Sequence, residues 1–284
     1  MNDKLKIGFI GQGWIGKTFA DDFEQRGYEI VRYALEAPYN ANKSQLKSCD
    51  IVYIAVPTPT NHDGFSCEPV IDALTNLEAG TTAVIKSTIL PGTTRRLQTL
   101  FPHLYVMHSP EFLVEKTVKF NVENPERNII GIPINNEDYQ TRAQIVMETL
   151  PRAPYSKVMD VNDAELVKYA GNTFLTTKVL FMNILYDLVE KNDGDWNTVR
   201  GALVEDKRIG DTHTQPVFES GRGAGGHCFI KDFEAFRQQY SETVGDKEGQ
   251  EVLTALTKLN IALLTKSNKS LDILTDTFEL KVKE

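Results

Sequence analysis

The chain has 284 residues, room for one large or two ordinary domains, and two are expected. A formal net charge of −8 disfavours bulk binding to nucleic acid or to an anionic membrane, although a local cluster of Lys and Arg can still hold a small phosphorylated ligand. Three widely spaced cysteines, the lack of a charged-then-apolar leader and of any apolar run near the ~18 residues of a membrane span predict a cytoplasmic protein, and five scattered histidines predict no metal site.

The first half alternates short apolar runs with amphipathic stretches. Leu5 to Ile10, Glu29 to Tyr33, Ile51 to Val56, Thr82 to Lys86, Leu104 to His108 and Asn128 to Gly131 read as strands. Ile15 to Arg26, Glu68 to Leu77, Thr93 to Leu100 and Glu137 to Leu150 read as helices. That alternation predicts an α/β fold with an N-terminal, Rossmann-like, doubly wound parallel sheet over residues 1–156. After Pro151 and Pro154 the pattern changes. From Asp163 to about Asn192, Leu166, Val167, Ala170, Phe174, Val179, Met182, Leu185 and Val189 recur at helical spacing, giving a helix of roughly 30 residues. A further helix is expected from Gly249 to about Lys269. Residues 157–284 are thus expected to form an α-helical domain with a long central helix, and the final SLDILTDTFELKVKE is left unplaced.

Strand one runs into GQGWIG, which opens a helix. Gly11 permits the tight turn, Gly13 lets backbone meet a pyrophosphate, and Gly16 lets helix and strand pack closely, with Trp14 and Ile15 in the same loop. The context predicts a dinucleotide site. The acidic residue that reads the adenosine ribose stands about 20 residues on, but here the chain reads EIVRYALEAP. Glu36 comes two residues late, and Arg32 is either a partner for a 2′-phosphate or a surface residue. NAD is favoured over NADP, which the sequence leaves open.

The stretch from Gly223 to Asp232, GAGGHCFIKD, carries a different chemistry. A thiolate is the nucleophilic form of cysteine, and its pKa falls near a helix N-terminus or cations. Gly223, Gly225 and Gly226 let backbone N–H groups approach an anion, and Phe229 to Gln239 reads as a helix whose start faces Cys228. The plain alternative is a buried cysteine after a flexible loop. His227 reads as structural and Arg222 as exposed.

Three more segments, VPTPT at Val56 to Thr60, KSTILPG at Lys86 to Gly92 and SPEFLVEK at Ser109 to Lys116, precede the helix ELVKYAGNTF. With these motifs in this order, the chain resembles the UDP-glucose/GDP-mannose dehydrogenase family from Lys6 to about Lys269. The resemblance implies an NAD-dependent, two-step oxidation of a nucleotide-sugar C6 alcohol to a carboxylate, by a homodimer formed through the central helix. It makes Cys228 the nucleophile, Lys168 and Asn172 the holders of the intermediate's oxygen, Asp232 a base or water-orienting group, and Glu111 an acid/base. It places Thr88 and Glu115 on the nicotinamide side, and Val56, Pro57, Thr58 and Ser87 where the dinucleotide crosses the sheet. Phe112, Leu113, Gly225, Gly226 and, across the dimer, Arg208 would touch the substrate.

The chain departs from the family's pattern at Ile230, where a proline is usual, and at Val114. The connection between strands two and three is short, so a helix and strand usual there are expected to be missing. A third domain, on the order of 100 residues, is expected to be absent, so that a partner completing the nucleotide pocket becomes an option. Two other readings compete: a β-hydroxyacid-type dehydrogenase that transfers one hydride and needs no cysteine, and a non-catalytic nucleotide-sugar-binding relic.

Overall fold

The computed structural model describes residues 5–61 and 64–278. It resolves into two compact units: Met1–Pro59 with Ser66–Lys168, and Thr60–Phe65 with Tyr169–Glu284. The boundary expected after residue 156 falls inside a strand, and the units part further on, at Lys168.

The first unit is built on one seven-stranded sheet. In chain order β1 (Lys6–Ile10), α1 (Trp14–Gln25), β2 (Glu29–Tyr33) and β3 (Ile51–Ile54) come first. The small hairpin of β4 (Thr60–Asn61) and β5 (Gly64–Phe65) belongs to the second unit. Then follow α2 (Glu68–Leu74), β6 (Thr82–Ile85), α3 (Thr93–Leu100), β7 (Tyr105–His108), α4 (Val118–Glu123), β8 (Arg127–Ile132), α5 (Glu137–Thr149) and β9 (Tyr155–Asp160). The strand order is β2-β1-β3-β6-β7-β8-β9. β3 and β6 are buried at every position, as strands covered on both faces must be.

The parallel sheet expected from the sequence holds for the first five strands and then breaks. β8 runs antiparallel to β7, meeting it at His108 and Gly131, while β9 is parallel to β8. The two connections differ: residues 109–126 between β7 and β8 hold only the short α4, whose Val122 packs into the core, whereas the longer α5 joins the parallel pair β8 and β9. Between β2 and β3 lies a single 3-10 segment, Tyr39–Ser48, so β2 is an edge strand. Leu46 of that segment is fully buried beneath the sheet, where a Cβ on Gly8 would come within 3.2 Å of it.

An aromatic group anchors the core. Phe9 stacks on Tyr53 with ring centroids 5.1 Å apart, and Phe23 meets both edge-on at 5.3 and 5.4 Å. Each ring is buried, which contributes roughly 1.5–3 kcal/mol per side chain. The Tyr53 hydroxyl keeps a partner in Thr149 at 2.6 Å.

The second unit is helical. It takes α6 (Val161–Lys191) from Tyr169 onward, α7 (Trp196–Val204), a hairpin of β10 (Val217–Phe218) and β11 (Gly221–Arg222), α8 (His227–Thr243), α9 (Lys247–Lys266) and α10 (Leu271–Phe278). Asp195 and Asp246 cap α7 and α9, accepting from Thr198 N and Gly249 N at 2.9 and 2.7 Å. Ile230 of α8 packs with Leu264 of α9 and Leu274 of α10, so the residue that replaces the usual proline is buried against the helix formed by the unplaced tail. The rest of that tail, residues 279–284, lies outside the described residues. No described helix is long and apolar enough to cross a membrane.

Candidate active site

The glycine loop has the shape its residues predict. Gly11 sits at φ +92°, and a Cβ there would lie 2.2 Å from the Ala55 carbonyl oxygen; one on Gly16 would lie 2.0 Å from that of Gly11. Gly13 has no atom near its missing Cβ, and it caps α1 without a side-chain hydrogen bond. The backbone N–H groups of that first turn thus face an open cradle that suits a pyrophosphate. Trp14 is 37% exposed beside it and Ile15 packs on the core.

The neighbouring strand ends are tied together. Val56 N donates to Ser87 Oγ at 3.0 Å, Ser87 Oγ donates to the Val56 carbonyl at 2.7 Å, and Thr58 Oγ1 donates to the Thr88 carbonyl at 2.7 Å. Pro57 and the half-buried Thr88 ride on these loops. Glu165, a residue the motifs did not single out, holds the loop from α6: its carboxylate accepts from Gly92 N at 2.7 Å and from Thr94 N and Oγ1 at 2.9 and 2.6 Å. Burial holds its pKa above the usual carboxylate range, and these donors offset that only in part.

Glu111 and Lys168 form a buried ion pair at 2.7 Å. Lys168 also donates to the Glu111 carbonyl at 2.8 Å, and the other carboxylate oxygen accepts from Leu113 N at 2.8 Å. Beside them lies Lys86, wholly buried, donating to Ser109 Oγ at 3.1 Å with its ammonium 4.5 Å from the Phe19 ring centre. Burial pushes the Lys86 pKa down to about 8; the Glu111 carboxylate opposes this and the Lys168 ammonium adds to it. His108 is buried with neither ring nitrogen hydrogen-bonded among the described residues, and burial followed by Lys86 pushes it down to about 3, so it is neutral. A cavity of about 160 Å³ opens among Lys86, Glu111, Phe112, Leu113 and Arg127. Glu115 is exposed at the start of a short 3-10 turn.

In the second unit Cys228 is partly buried and stands inside the first turn of α8, rather than ahead of a helix starting at Phe229. Gly226, at φ +85°, ends the loop two residues earlier than the apolar pattern suggests. Asp232, one turn on and fully buried, accepts from Asn172 Nδ2 at 2.6 Å and pairs with Lys231. Asn172 and Lys168 are four residues apart on α6, hence on one helix face.

The loop ahead of Cys228 is clamped by side chains from α9 and the turn after it. Asn260 accepts from Ala224 N at 2.8 Å and donates to the Ala224 carbonyl at 3.0 Å. Lys269 donates to the carbonyls of Phe218, Gly221 and Gly223, and Ser270 Oγ accepts from Gly226 N at 3.1 Å. A Cβ on Gly225 would strike Lys269 Cε and Ser270 Oγ, each at 2.8 Å. Polarity at 260, 269 and 270 was the only signal in the sequence, and polar residues near helix ends are commonplace.

Two arginines of the second unit are held in ion pairs. Arg222 is held by α6 through Asn183 and Asp187, each 2.8 Å or less from its guanidinium, and is not simply exposed. Arg208 is 91% exposed in its side chain and pairs with Asp206, two residues away. Among the described residues no cluster of three or more His, Cys, Asp or Glu has the arrangement of a metal site.

Residues 34–150 match the NAD-binding domain, and residues 162–261 the central domain, of the UDP-glucose/GDP-mannose dehydrogenase family. The UDP-glucose 6-dehydrogenase of Rickettsia conorii is 30% identical over 247 residues, which take in 82% of this chain and 54% of that protein. The chain spans about half the length of most curated relatives it matches. A UDP-glucose dehydrogenase structure from Pyrobaculum islandicum aligns with a TM-score of 0.79 at 25% identity, over 94% of this chain and 70% of that one. The 3-hydroxyisobutyrate dehydrogenase of Mycobacterium tuberculosis aligns at a TM-score of 0.72 over 93% of this chain and 95% of that one, but at 14% identity this shows a shared fold alone. With both domain matches in motif order and the glycine cradle in place, the chain belongs to the UDP-glucose/GDP-mannose dehydrogenase family.

Proposed function

We propose that this chain oxidises the C6 alcohol of a nucleotide-sugar to the carboxylate in two NAD-dependent steps. The observation that carries the reading is the Cys228 thiol in the first turn of α8, one turn before the buried Asp232 that Asn172 binds. NAD, held at the Gly11–Gly16 cradle, would supply the hydride acceptor for each oxidation. The chain's own residues do the rest. Glu111 exchanges protons with the C6 oxygen. The Cys228 thiol adds across the C=O of the aldehyde, giving a thiohemiacetal whose oxygen Lys168 and Asn172 stabilise. Such donors contribute about 2.7–4 kcal/mol each to comparable intermediates. Loss of a hydride and the hydroxyl proton gives a thioester. Water, oriented by Asp232, then breaks the C–S bond, releasing carboxylate and returning the thiol. Because the aldehyde stays covalently bound, it does not escape.

The same reading includes a homodimer through α6. Phe174, Phe181, Ile184 and Leu188 are 50–69% exposed and spaced by seven, three and four residues, which is the spacing of a helix–helix seam. It also places the protein in a reducing, cytoplasmic compartment, in keeping with three cysteines that are all thiols.

The test is the number of NADH formed per sugar consumed, with product mass, across a panel of UDP-, GDP- and simple phosphorylated sugars. Two NADH and a carboxylate are expected. One NADH and a stable carbonyl product would overturn the covalent route.

A further inference from the structure

The carboxyl end of β2 carries an arginine whose charge is already committed. Arg32 Nη2 lies 2.8 Å from both Asp21 Oδ1 and Glu24 Oε2, and its Nε donates to Glu24 Oε1 at 3.2 Å. Both carboxylates come from α1, the helix that opens at the glycine loop. Its Nη1 reaches Gln12 Oε1 of the loop itself at 3.4 Å, and Gly11 N donates to the Tyr33 carbonyl at 2.9 Å. The Arg32 side chain is only 10% exposed, and Lys17 shares Asp21 at 2.6 Å.

In a sheet of this kind the adenosine ribose lies at the end of β2. There an acidic residue reads the 2′-hydroxyl of NAD, or an arginine accommodates the 2′-phosphate of NADP. Ala34, buried, follows the strand, and Glu36 is exposed two residues later. The strand end therefore offers a cation and no acid of its own. Two carboxylates from the neighbouring helix supply the negative charge instead, and they engage the cation that a 2′-phosphate would need.

We propose that the Asp21–Arg32–Glu24 cluster sets the cofactor preference of this protein, withholding Arg32 from a 2′-phosphate and opposing that phosphate with two carboxylates. The inference rests on the dinucleotide cradle at Gly11–Gly16 and is independent of the sugar oxidised.

The experiment is direct binding of NAD and NADP by titration calorimetry, with quenching of tryptophan fluorescence as a second readout. It compares the wild-type chain, the Asp21→Asn/Glu24→Gln variant, and that variant carrying Arg32→Gln as well. Wild type is expected to bind NAD at least about tenfold more tightly than NADP. The double variant should tighten NADP about tenfold while changing NAD less than about twofold, and Arg32→Gln should abolish the gain. An NADP Kd unmoved in the double variant, or a gain that survives Arg32→Gln, would overturn the proposal. If the double variant fails to fold by circular dichroism, the single variants, each keeping one carboxylate on Arg32, should each show about a threefold gain, and none in either would count against it. Wild type that binds neither cofactor would instead remove the dinucleotide site, and the proposal with it.

Discussion

The Lys168 ammonium grips Glu111 twice, at the carboxylate and at the backbone carbonyl, and both groups are almost entirely buried. A charge pair this dry is an asset only while both partners are present, because either one alone is an uncompensated ion.

Lys168→Met should therefore destabilise the protein by about 3–5 kcal/mol, measured from the urea midpoint at pH 7. Lys168→Met/Glu111→Gln should recover much of that loss. Turnover in the single variant should fall by about 10²-fold or more. A stable, active Lys168→Met protein would remove the pair from both roles.

Lys86 makes a prediction about pH. Its pKa falls from 10.5 in the unfolded chain to about 8 in the fold, so the burial penalty applies in full below pH 8, where the group is charged in both states. Between pH 8 and 10.5 the unfolded chain binds more protons, and stability contributed by this site rises with pH. Wild type should gain on Lys86→Met by about 3 kcal/mol across that window, read as the difference between their urea unfolding energies. Parallel curves would show that the ammonium is solvated.

Cys228→Ser tests the covalent step. The variant should give at most one NADH per sugar and no carboxylate, because an alkoxide neither adds nor leaves as a thiolate does. A full yield of acid from it would refute the thioester.

Lys269 should act through the loop that presents Cys228. A catalytic group displaced by about 1 Å can lose about 10²-fold in rate. Lys269→Met is accordingly expected to lower kcat by about 10- to 100-fold with KM changed far less, and Lys269→Arg to restore part of it. The rate of Cys228 alkylation should shift in parallel. That readout is selective near neutral pH, because Cys49 and Cys67 are buried and burial pushes the Cys49 thiol up to about 11. Unchanged alkylation and turnover in Lys269→Met would reduce the clamp to a packing detail.

How much of this was legible in the sequence follows from the physics of each element. β3 and β6 are covered on both faces, so they are apolar throughout and read plainly as strands. β9 sits at the sheet edge with most positions facing water, and YSKVMD carries no alternation to betray it. The direction of β8 was hidden because strand polarity depends on how the chain returns, which composition does not encode. Gly11 and Gly16 were legible since only glycine fits where a Cβ would meet a carbonyl. Lys86, Glu165 and Lys269 were not, because each is an ordinary charged residue until the fold buries it against its partners. Arg32 was seen, but only its neighbours on α1 decide what it does.

The 3-10 segment Tyr39–Ser48 replaces a strand and also protects the strand it leaves exposed. An unpaired sheet edge is a template for another chain, and proteins blunt such edges with cover or with charge. Here the segment lies along β2, and Asn42 Nδ2 donates to the Arg32 carbonyl at 2.9 Å, occupying an acceptor that a foreign strand would seek. In shedding one strand from its sheet, the chain has kept a short length of polypeptide in place that stops the sheet from recruiting another.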